Sequence, residues 1–243
     1  MKKLNLNDFK VKEDFLILDI ENIYVCFSTA EKNRSFNRNI DLGIKNLESI
    51  VEDFKLSKIQ YLKQIHSDKV YTYNKYDLKE KEGDAIITNI KDVAIGVFTA
   101  DCVPIIIVDT KNKVIATIHS GWRGTFNSIV SKTLANMMKK FNIDINSTKV
   151  FIGPHIRQCC YEVSEELKKD FLSKTNIEEN KLFKERNLSL EECILKDIRN
   201  FGVLEENIYS ISLCTHCEEK IKLYSYRKSI GTYGRLFSFA FIK

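Results

Sequence analysis

The chain has 243 residues, of which 44% are hydrophobic and 29% are charged, and its formal net charge is +5. A chain of this length can bury a substantial core, and its basic and acidic residues are interleaved, which argues against a nucleic-acid partner. The longest apolar run, over 93–108, is interrupted by Asp101 and Pro104 and is too short to cross a bilayer, so no membrane partner is expected.

The first residues and the cysteines predict the cellular compartment. The segment from Met1 to Asp8 begins with two lysines but has no apolar stretch behind it, so we expect no signal peptide. Seven cysteines without a secretion signal are typical of reduced thiols. The sequence therefore predicts a cytoplasmic protein, and no exposed heptad or long apolar stripe indicates an oligomer, so a monomer is expected.

Short strands dominate the first half of the chain. Strands are predicted over 15–20, 23–29, 58–66, 70–73, 85–88, 93–102, 103–108 and 114–119, with a loop over 30–43 and a short helix over 47–54. The run from Val103 to Val108 is almost continuously apolar, which favours a strand that is buried on both faces.

Helices are more frequent in the second half. Apolar residues recur at three- and four-residue intervals over 125–141, which predicts an amphipathic helix. Ser189 followed by Glu192 forms a capping box for another helix, which Gly202 would end. Further elements are a helix over 164–173 and strands over 150–153, 208–213 and 236–242. Because strands and helices are mixed without strict alternation, the sequence favours one layered α/β domain over residues 1–243, not a Rossmann or barrel arrangement.

Three of the predicted strands end in residues that bind transition metals, namely His66, Cys102 and His119. Strand ends that meet at one edge of a sheet bring their side chains together, and two imidazoles with one thiolate suit Zn²⁺. Three protein ligands leave one coordination position for water or substrate, as in catalytic zinc sites. Taken singly, each of these residues more often has a structural role, so the prediction depends on their occurring together.

The neighbours of these residues add charge. Asp101 precedes Cys102 in an apolar run, where a carboxylate is costly unless it is paired or functional, and a buried carboxyl of raised pKa would suit a proton carrier. Arg123 follows His119 in the turn Ser120-Gly-Trp-Arg-Gly124, which leads into a helix. Backbone amides at a helix start favour anions, and this arginine adds a fixed positive charge there.

Two further arginines precede the last predicted strand. Arg227 lies in the segment Tyr224-Ser-Tyr-Arg-Lys228, and Arg235 lies in Gly231-Thr-Tyr-Gly-Arg235. Guanidinium groups suit phosphate or carboxylate recognition, and the tyrosines are suited to stack on a flat ring. A solvated loop with surface arginines is equally compatible with this pattern.

The remaining cysteines give a weaker signal. Cys214-Thr-His-Cys217 has the spacing of zinc ligands, but the chain has no second Cys-x-x-Cys pair, so a structural zinc there has little support. Cys159 and Cys160 are neighbours, and in a strand they would point to opposite faces.

The motifs closely resemble those of the YfiH-type proteins, whose members are described variously as laccase-domain proteins, polyphenol oxidases and purine nucleoside phosphorylases. The matching segments run in family order from about residue 60 to the C-terminus: Gln64-Ile-His66, Asp84-Ala-Ile-Ile-Thr-Asn89, Thr99-Ala-Asp-Cys-Val-Pro104, His119-Ser-Gly-Trp-Arg-Gly124, Gly153-Pro154, Cys159-Cys-Tyr-Glu-Val163, Cys214-Thr215, Tyr226-Arg227 and Gly234-Arg235.

The resemblance implies a single-domain α-β-β-α sandwich with mixed sheets, in which His66, Cys102 and His119 hold Zn²⁺. It also implies phosphorolysis of adenosine, inosine, guanosine and methylthioadenosine, together with deamination of adenosine, so the expected partners are purine nucleosides and phosphate. In this interpretation the catalytic residues are Asp101, Cys102 and His119, and the substrate-binding residues are Gln64, Arg123, Arg227 and Arg235.

One segment departs from the family pattern. Members commonly carry an arginine and a Gly-Gly-x-Ser stretch after Phe-Ser-Thr, whereas here Phe27-Ser-Thr is followed by Ala30-Glu-Lys-Asn-Arg-Ser35. Arg34 is the residue of this stretch that would supply the missing charge.

Three other functions compete with purine chemistry. A copper-dependent polyphenol oxidase is disfavoured, because a trinuclear copper cluster needs many imidazoles and the chain has four histidines. A metal-free hydrolase or amidase, for example one that edits muropeptides, would use Cys102 as nucleophile with His119 or His66 as its base. A non-enzymatic zinc-dependent binding module would offer the open coordination position to a partner's side chain.

Overall fold

Two β-sheets packed face to face form the centre of the structure, and helices cover both outer faces. The computed structural model describes residues 1–229 and 234–243. Within the segment Gly231-Thr-Tyr-Gly-Arg235, residues 231–233 therefore lie outside the described residues. The strands are β1 (Lys2–Leu4), β2 (Lys10–Lys12), β3 (Phe15–Ile20), β4 (Ile23–Ser28), β5 (Lys58–Gln60), β6 (Val70–Thr72), β7 (Ala85–Thr88), β8 (Val93–Thr99), β9 (Val103–Asp109), β10 (Val114–Ser120), β11 (Thr148–Ile152), β12 (Phe183–Lys184), β13 (Asn187–Leu188), β14 (Ile208–Ile211) and β15 (Leu236–Ile242). The helices are α1 (Asp41–Asp53), α2 (Trp122–Phe126), α3 (Ile129–Phe141), α4 (Glu165–Thr175), α5 (Glu179–Leu182) and α6 (Leu190–Asn200), with 3₁₀ turns at Leu6–Asp8 and Glu205–Asn207.

In the described part of the chain, one sheet has seven strands in the order β1-β14-β11-β9-β10-β7-β6 and is mixed in direction. Its central strand β9 is buried along its whole length, as the sequence predicts. Because side chains alternate across a strand, Ile105 and Ile107 pack under the helices, while Ile106 and Val108 face the second sheet.

The second sheet has six described strands in the order β2-β3-β4-β15-β8-β5. In β15, Phe237, Phe239 and Phe241 pack toward α1, whereas Ala240 and Ile242 belong to the core between the sheets. A separate pair, β12 and β13, forms a small hairpin.

Helices α3 and α6 cover the seven-stranded sheet through residues such as Leu134, Met137 and Ile194, and α1 covers the six-stranded sheet through Leu47 and Ile50. The layers therefore run helix, sheet, sheet, helix. The predicted α-β-β-α sandwich with mixed sheets is confirmed.

Within residues 1–229 and 234–243, no helix has both the length and the apolar character that a membrane crossing requires.

The predicted strand over 58–66 is wrong beyond Gln60, where β5 ends. Tyr61 and Leu62 are buried by side-chain packing without strand pairing, which explains why their apolar pattern resembles a strand. His66 consequently lies in a loop, with a positive φ of 58°.

Three further boundaries differ from prediction. Residues 100–102 form a bend between β8 and β9, so Asp101 lies in a turn with φ 103° and not within a strand. The predicted helix over 125–141 is divided into α2 and α3, because Ser128 adopts a left-handed conformation with φ 55°. Helix α1 begins at Asp41, inside the segment over 30–43 for which the sequence predicts a loop.

A matched pair of leucines tests the assignment of the core. Leu134 is fully buried under the seven-stranded sheet, whereas Leu42 is 64% exposed at the start of α1. Leu134→Ala should lower the free energy of unfolding by about 2–5 kcal/mol, because it removes buried contacts and leaves a cavity. Leu42→Ala should change it by less than about 0.5 kcal/mol. Urea unfolding of the two variants measures both values, and equal losses would contradict the layer assignment.

Candidate functional site

A cleft of about 1020 Å³ lies over the bend that joins β8 of one sheet to β9 of the other. The eight residues predicted for the site all line it: Gln64, His66, Asp101, Cys102, His119, Arg123, Arg227 and Arg235. The structure therefore brings the predicted residues together, while their chemical roles stay predictions.

Strand pairing brings the cysteine and one histidine to the same edge. In the antiparallel register of β9 and β10, His119 pairs with Pro104 and Ser120 pairs with Val103. Cys102, directly before β9, therefore emerges beside the end of β10.

The ligand atoms of His66, Cys102 and His119 all lie within 4.8 Å of one another. Cys102 Sγ is 3.8 Å from His66 Nε2, and the two imidazole rings stand edge to face with their centroids 4.8 Å apart. His119 is 3% exposed, whereas His66 is exposed to the cleft. Two nitrogens and one sulfur at this spacing form a candidate centre for a borderline-soft metal ion such as Zn²⁺.

Asp84, which the sequence does not predict as a site residue, holds two of these three residues in place. Its fully buried carboxylate lies 2.8 Å from His119 Nδ1, which leaves Nε2 of that ring free to bind an ion. The same carboxylate accepts hydrogen bonds from the backbone amides of Ile65, His66 and Ser67, which fixes the loop that carries His66. Metal-ligating histidines usually have such a carboxylate partner.

The charges of the centre are coupled. Burial raises the pKa of Cys102. The adjacent His119 and His66 rings lower this pKa by more than burial raises it, so its value is about 6. Burial lowers the pKa of His119, but the Cys102 thiolate and Asp84 raise it to about 9. Between these two values the pair is a thiolate beside an imidazolium, and a divalent cation would take the place of that proton.

Gly121 leaves the space in front of these side chains clear. A Cβ atom there would lie 2.9 Å from His66 Cδ2 and 3.1 Å from Cys102 Sγ. Any larger residue would displace a ligand atom, so the absence of a side chain at this position fits the binding of an ion by His66 and Cys102.

Asp101 connects the bend to the far wall of the cleft. Its carboxylate accepts a hydrogen bond of 2.6 Å from the Thr215 hydroxyl and one of 2.8 Å from the backbone amide of Arg227. Both oxygens therefore have donors, and the strained turn that carries Cys102 is tied to the arginine-bearing segment.

The walls of the cleft are rich in guanidinium groups and aromatic rings. The guanidinium carbon of Arg123 lies 4.3 Å from the centroid of the Trp122 ring, and that of Arg227 lies 5.1 Å from the centroid of the Tyr161 ring. Arg38, Arg186 and Arg235 also line the cleft. Burial raises the pKa of Tyr161 to about 12, so this ring stays neutral. The surface combines positive charge for an anion with flat faces for an aromatic ring.

Two predicted residues have structural contacts. The side-chain amide of Gln64 donates to the Phe98 carbonyl at 2.8 Å and accepts from the Phe98 amide at 2.7 Å, so substrate binding by Gln64 stays a prediction. Arg34 does not supply charge to the cleft, because its guanidinium pairs with Asp14. Arg38 is the arginine from the same loop that lines the cleft. Both arginines are basic residues in the same polar loop, so the sequence does not indicate which of the two lines the cleft.

Comparison with known proteins gives a consistent result over most of the chain. Residues 36–243 match the family described as multi-copper polyphenol oxidoreductase laccase. A protein of Clostridium acetobutylicum named purine nucleoside phosphorylase is 38% identical over 228 residues, which are 94% of this chain and 95% of that protein. A protein of Aquifex aeolicus with the same name is 35% identical over 194 residues, 80% of this chain and 88% of that one.

Solved structures share the fold. The Bacillus licheniformis hypothetical protein YfiH superposes with a TM-score of 0.87 at 22% identity, covering 98% of this chain and all of its own. YlmD from Geobacillus stearothermophilus gives a TM-score of 0.86 at 22% identity, covering 97% and 99%.

Replacement of Asp84 should weaken metal binding. In Asp84→Asn, a side-chain amide replaces the carboxylate that now accepts hydrogen bonds from the loop amides and the His119 ring. The NH₂ group of the amide cannot accept them, so the His66 loop and the His119 ring lose their fixed orientation. We expect the affinity for Zn²⁺ to fall about 10- to 100-fold, measured by competition with a chromophoric chelator. The control is Asp109→Asn. Asp109 is as buried as Asp84 but lies at the end of β9 that is remote from Cys102, so this substitution should leave the affinity unchanged. Unchanged affinity in Asp84→Asn would contradict the positioning role.

The ionisation of Cys102 predicts a pH profile for its reactivity. Only the thiolate is alkylated, and it forms as the pH rises through the pKa. In metal-free protein, modification of Cys102 by iodoacetamide, followed by peptide mass spectrometry, should therefore reach half of its plateau rate at about pH 6. His119→Gln removes the main stabilising charge and should move the midpoint toward the ordinary thiol value of about 8.5. A wild-type midpoint near that ordinary value would contradict the coupling.

Proposed function

This chain belongs to the family described as multi-copper polyphenol oxidoreductase laccase, and from its membership and the geometry of its cleft we propose that it is a zinc-dependent purine nucleoside phosphorylase. The observation that carries the proposal is the His66–Cys102–His119 centre at the floor of an arginine-lined cleft. The relatives that carry the name purine nucleoside phosphorylase support the reaction class.

Zn²⁺ suits this centre better than copper. One thiolate and two imidazoles are ligands of borderline softness, and the Asp84–His119 contact is typical of zinc sites. A bound Zn²⁺ ion would supply Lewis acidity to a substrate oxygen or nitrogen at its open position. We therefore propose His66, Cys102 and His119 as its ligands, with copper as the less favoured ion.

The proposed phosphate site lies between Arg123 and Arg227. Both side chains are exposed to the cleft and lie over aromatic rings, which leaves their guanidinium forks accessible to an anion. Arg235 lines the same cleft. In phosphorolysis, an oxygen of phosphate bonds to the ribose C1′ while the N-glycosidic bond breaks and its electron pair leaves with the purine. The purine then takes up a proton.

Trp122, Tyr161 and Tyr226 supply flat faces in the cleft for the purine ring. The cleft volume is ample for a nucleoside and a phosphate together. We propose adenosine, inosine, guanosine and methylthioadenosine as substrates, and deamination of adenosine as a second activity, in which water adds to the ring and ammonia leaves.

For Asp101 the contacts favour a modified role. Two donors already meet its oxygens, so a proton passing through this carboxyl would break a bond that orders the cleft wall. We therefore propose that Asp101 positions Thr215 and Arg227, and that the proton for the departing purine comes from the dihydrogen form of phosphate or from water.

A second candidate is a Cys–His hydrolase, favoured by the lowered pKa of Cys102 beside His119. Zinc loading separates the two functions. If Zn²⁺ is the working ion, it should protect Cys102 from iodoacetamide while purine chemistry proceeds. A metal-free protein that cleaves amides and loses that activity on alkylation would favour the hydrolase instead.

Activity of zinc-loaded protein with inosine and phosphate should yield hypoxanthine and ribose 1-phosphate, separated by chromatography. Adenosine without phosphate tests deamination through the release of inosine. Cys102→Ser should lower kcat/KM at least about 100-fold, because it removes a ligand of the ion. Unchanged turnover in that variant would refute the zinc-dependent scheme.

The arginine assignment has its own test. Arg227→Ala should raise the KM for phosphate about 10- to 100-fold, the loss of one or two charge-assisted hydrogen bonds. Arg199→Ala is the matched control, because Arg199 pairs with Glu205 outside the cleft and should leave KM unchanged. An equal effect of both substitutions would refute a phosphate site at Arg227.

A further inference from the structure

Four cysteines outside the cleft converge on one point. Cys159 and Cys160 lie in the turn over 158–160, and Cys214 and Cys217 lie in the turn that follows β14. The four sulfur atoms all lie within 4.8 Å of one another. In a strand Cys159 and Cys160 would point to opposite faces, whereas the observed turn allows neighbouring side chains to point to the same side.

The sulfur spacing matches metal coordination better than a disulfide. Cys159 Sγ and Cys217 Sγ are 3.7 Å apart. Four sulfurs at about 2.3 Å from a tetrahedral Zn²⁺ ion are separated by about 3.8 Å, whereas a disulfide needs about 2.05 Å. All seven cysteines of the chain are free thiols in the structure.

Backbone amides surround the Cys214 sulfur. The amide of Arg157 donates to Cys214 Sγ at 3.5 Å, and the amides of His216 and Cys217 also donate to this sulfur. Such hydrogen bonds stabilise negative charge on sulfur. The chain just before the first turn is also paired with the second turn, because His155 forms a parallel bridge with Cys214 and its carbonyl accepts from the Thr215 amide at 3.0 Å. The sulfur positions are therefore set by the fold before any ion binds.

We propose that Cys159, Cys160, Cys214 and Cys217 form a second metal site, which binds one Zn²⁺ ion with a structural role. Four thiolates complete a tetrahedral shell and leave no position for substrate, in contrast to the three ligands of the cleft. Cys214 is buried, and Cys159 and Cys217 are exposed, so the ion would enter from the surface.

The position of this site suggests what it stabilises. Cys160 directly precedes Tyr161 and Glu162, which line the cleft, and the Glu162 carbonyl accepts a hydrogen bond from the Arg227 guanidinium at 3.0 Å. Cys214 directly precedes Thr215, which donates to Asp101. An ion bound by both turns would therefore cross-link the segment that lines the cleft at Tyr161 and Glu162 to the segment that holds Asp101 through Thr215.

Metal counting by mass spectrometry of the full chain, purified with a reductant and desalted, tests the proposal independently of any activity. We expect about two zinc ions per chain in the wild type and about one in Cys102→Ser, which leaves only the second site. The double variant Cys159→Ser/Cys217→Ser should also hold about one, and the triple variant none. Cys193→Ser is the matched control, because Cys193 lies in α6 outside both clusters, and it should keep both ions.

Cobalt substitution gives a second measurement that does not require the double variant to fold. Cys102→Ser loaded with Co²⁺ should show the intense sulfur-to-metal absorption of a tetrahedral thiolate site, and one equivalent of Zn²⁺ should abolish it. Absence of any bound ion in Cys102→Ser would overturn the second site. So would a protein, purified without reductant, that lacks a second ion and is lighter by two hydrogens per chain, since that result indicates a disulfide.

Discussion

The buried carboxylate of Asp84 is the constraint on which the candidate site depends. It lies at the start of β7, opposite the end of β10, and it contacts the His119 ring and three successive amides of the loop that carries His66. A carboxylate is costly to bury, and here its oxygens are satisfied by five donors from two segments, counting the Ser67 hydroxyl. Because β7 pairs with β10 in a fixed register, Asp84 has a fixed place beside His119. Its contacts therefore fix the positions of His66 and His119 relative to each other.

The other half of the site depends on the junction between the sheets. Asp101, with φ 103°, permits the chain to leave β8 of one sheet and enter β9 of the other within three residues, and it delivers Cys102 to the cleft. Strained backbone at this point is stable because Ile156, Thr215 and Arg227 all donate to Asp101. The same contacts hold the arginine-bearing segment at the cleft that contains the candidate metal centre, so the turn and the wall of the cleft are ordered together.

The sequence predicts the layers and the identity of the cleft residues better than their roles. Strands such as β9 and β15 have uninterrupted apolar patterns, and the His66, Cys102 and His119 motifs are specific, so both could be recognised. Strand ends were harder, because burial of Tyr61 and Leu62 in a loop gives the same pattern as a strand. The sequence does not predict Asp84 as a site residue, because a carboxylate before a strand resembles a turn residue. It does not predict the four-cysteine cluster either, because the two halves of the cluster are 54 positions apart in the chain, from Cys160 to Cys214.

The three ligands of the cleft come from a loop beyond the edge of one sheet, from the inter-sheet turn and from a strand end of the other sheet. Their side chains meet only when both sheets have docked, so the native chain offers a chelating pocket that an unfolded chain lacks. By mass action, any ion that prefers the native chain then shifts the folding equilibrium toward it. With the proposed ion at this centre, availability of the metal would govern how much of the protein persists against proteolysis, as well as the proposed activity of each molecule.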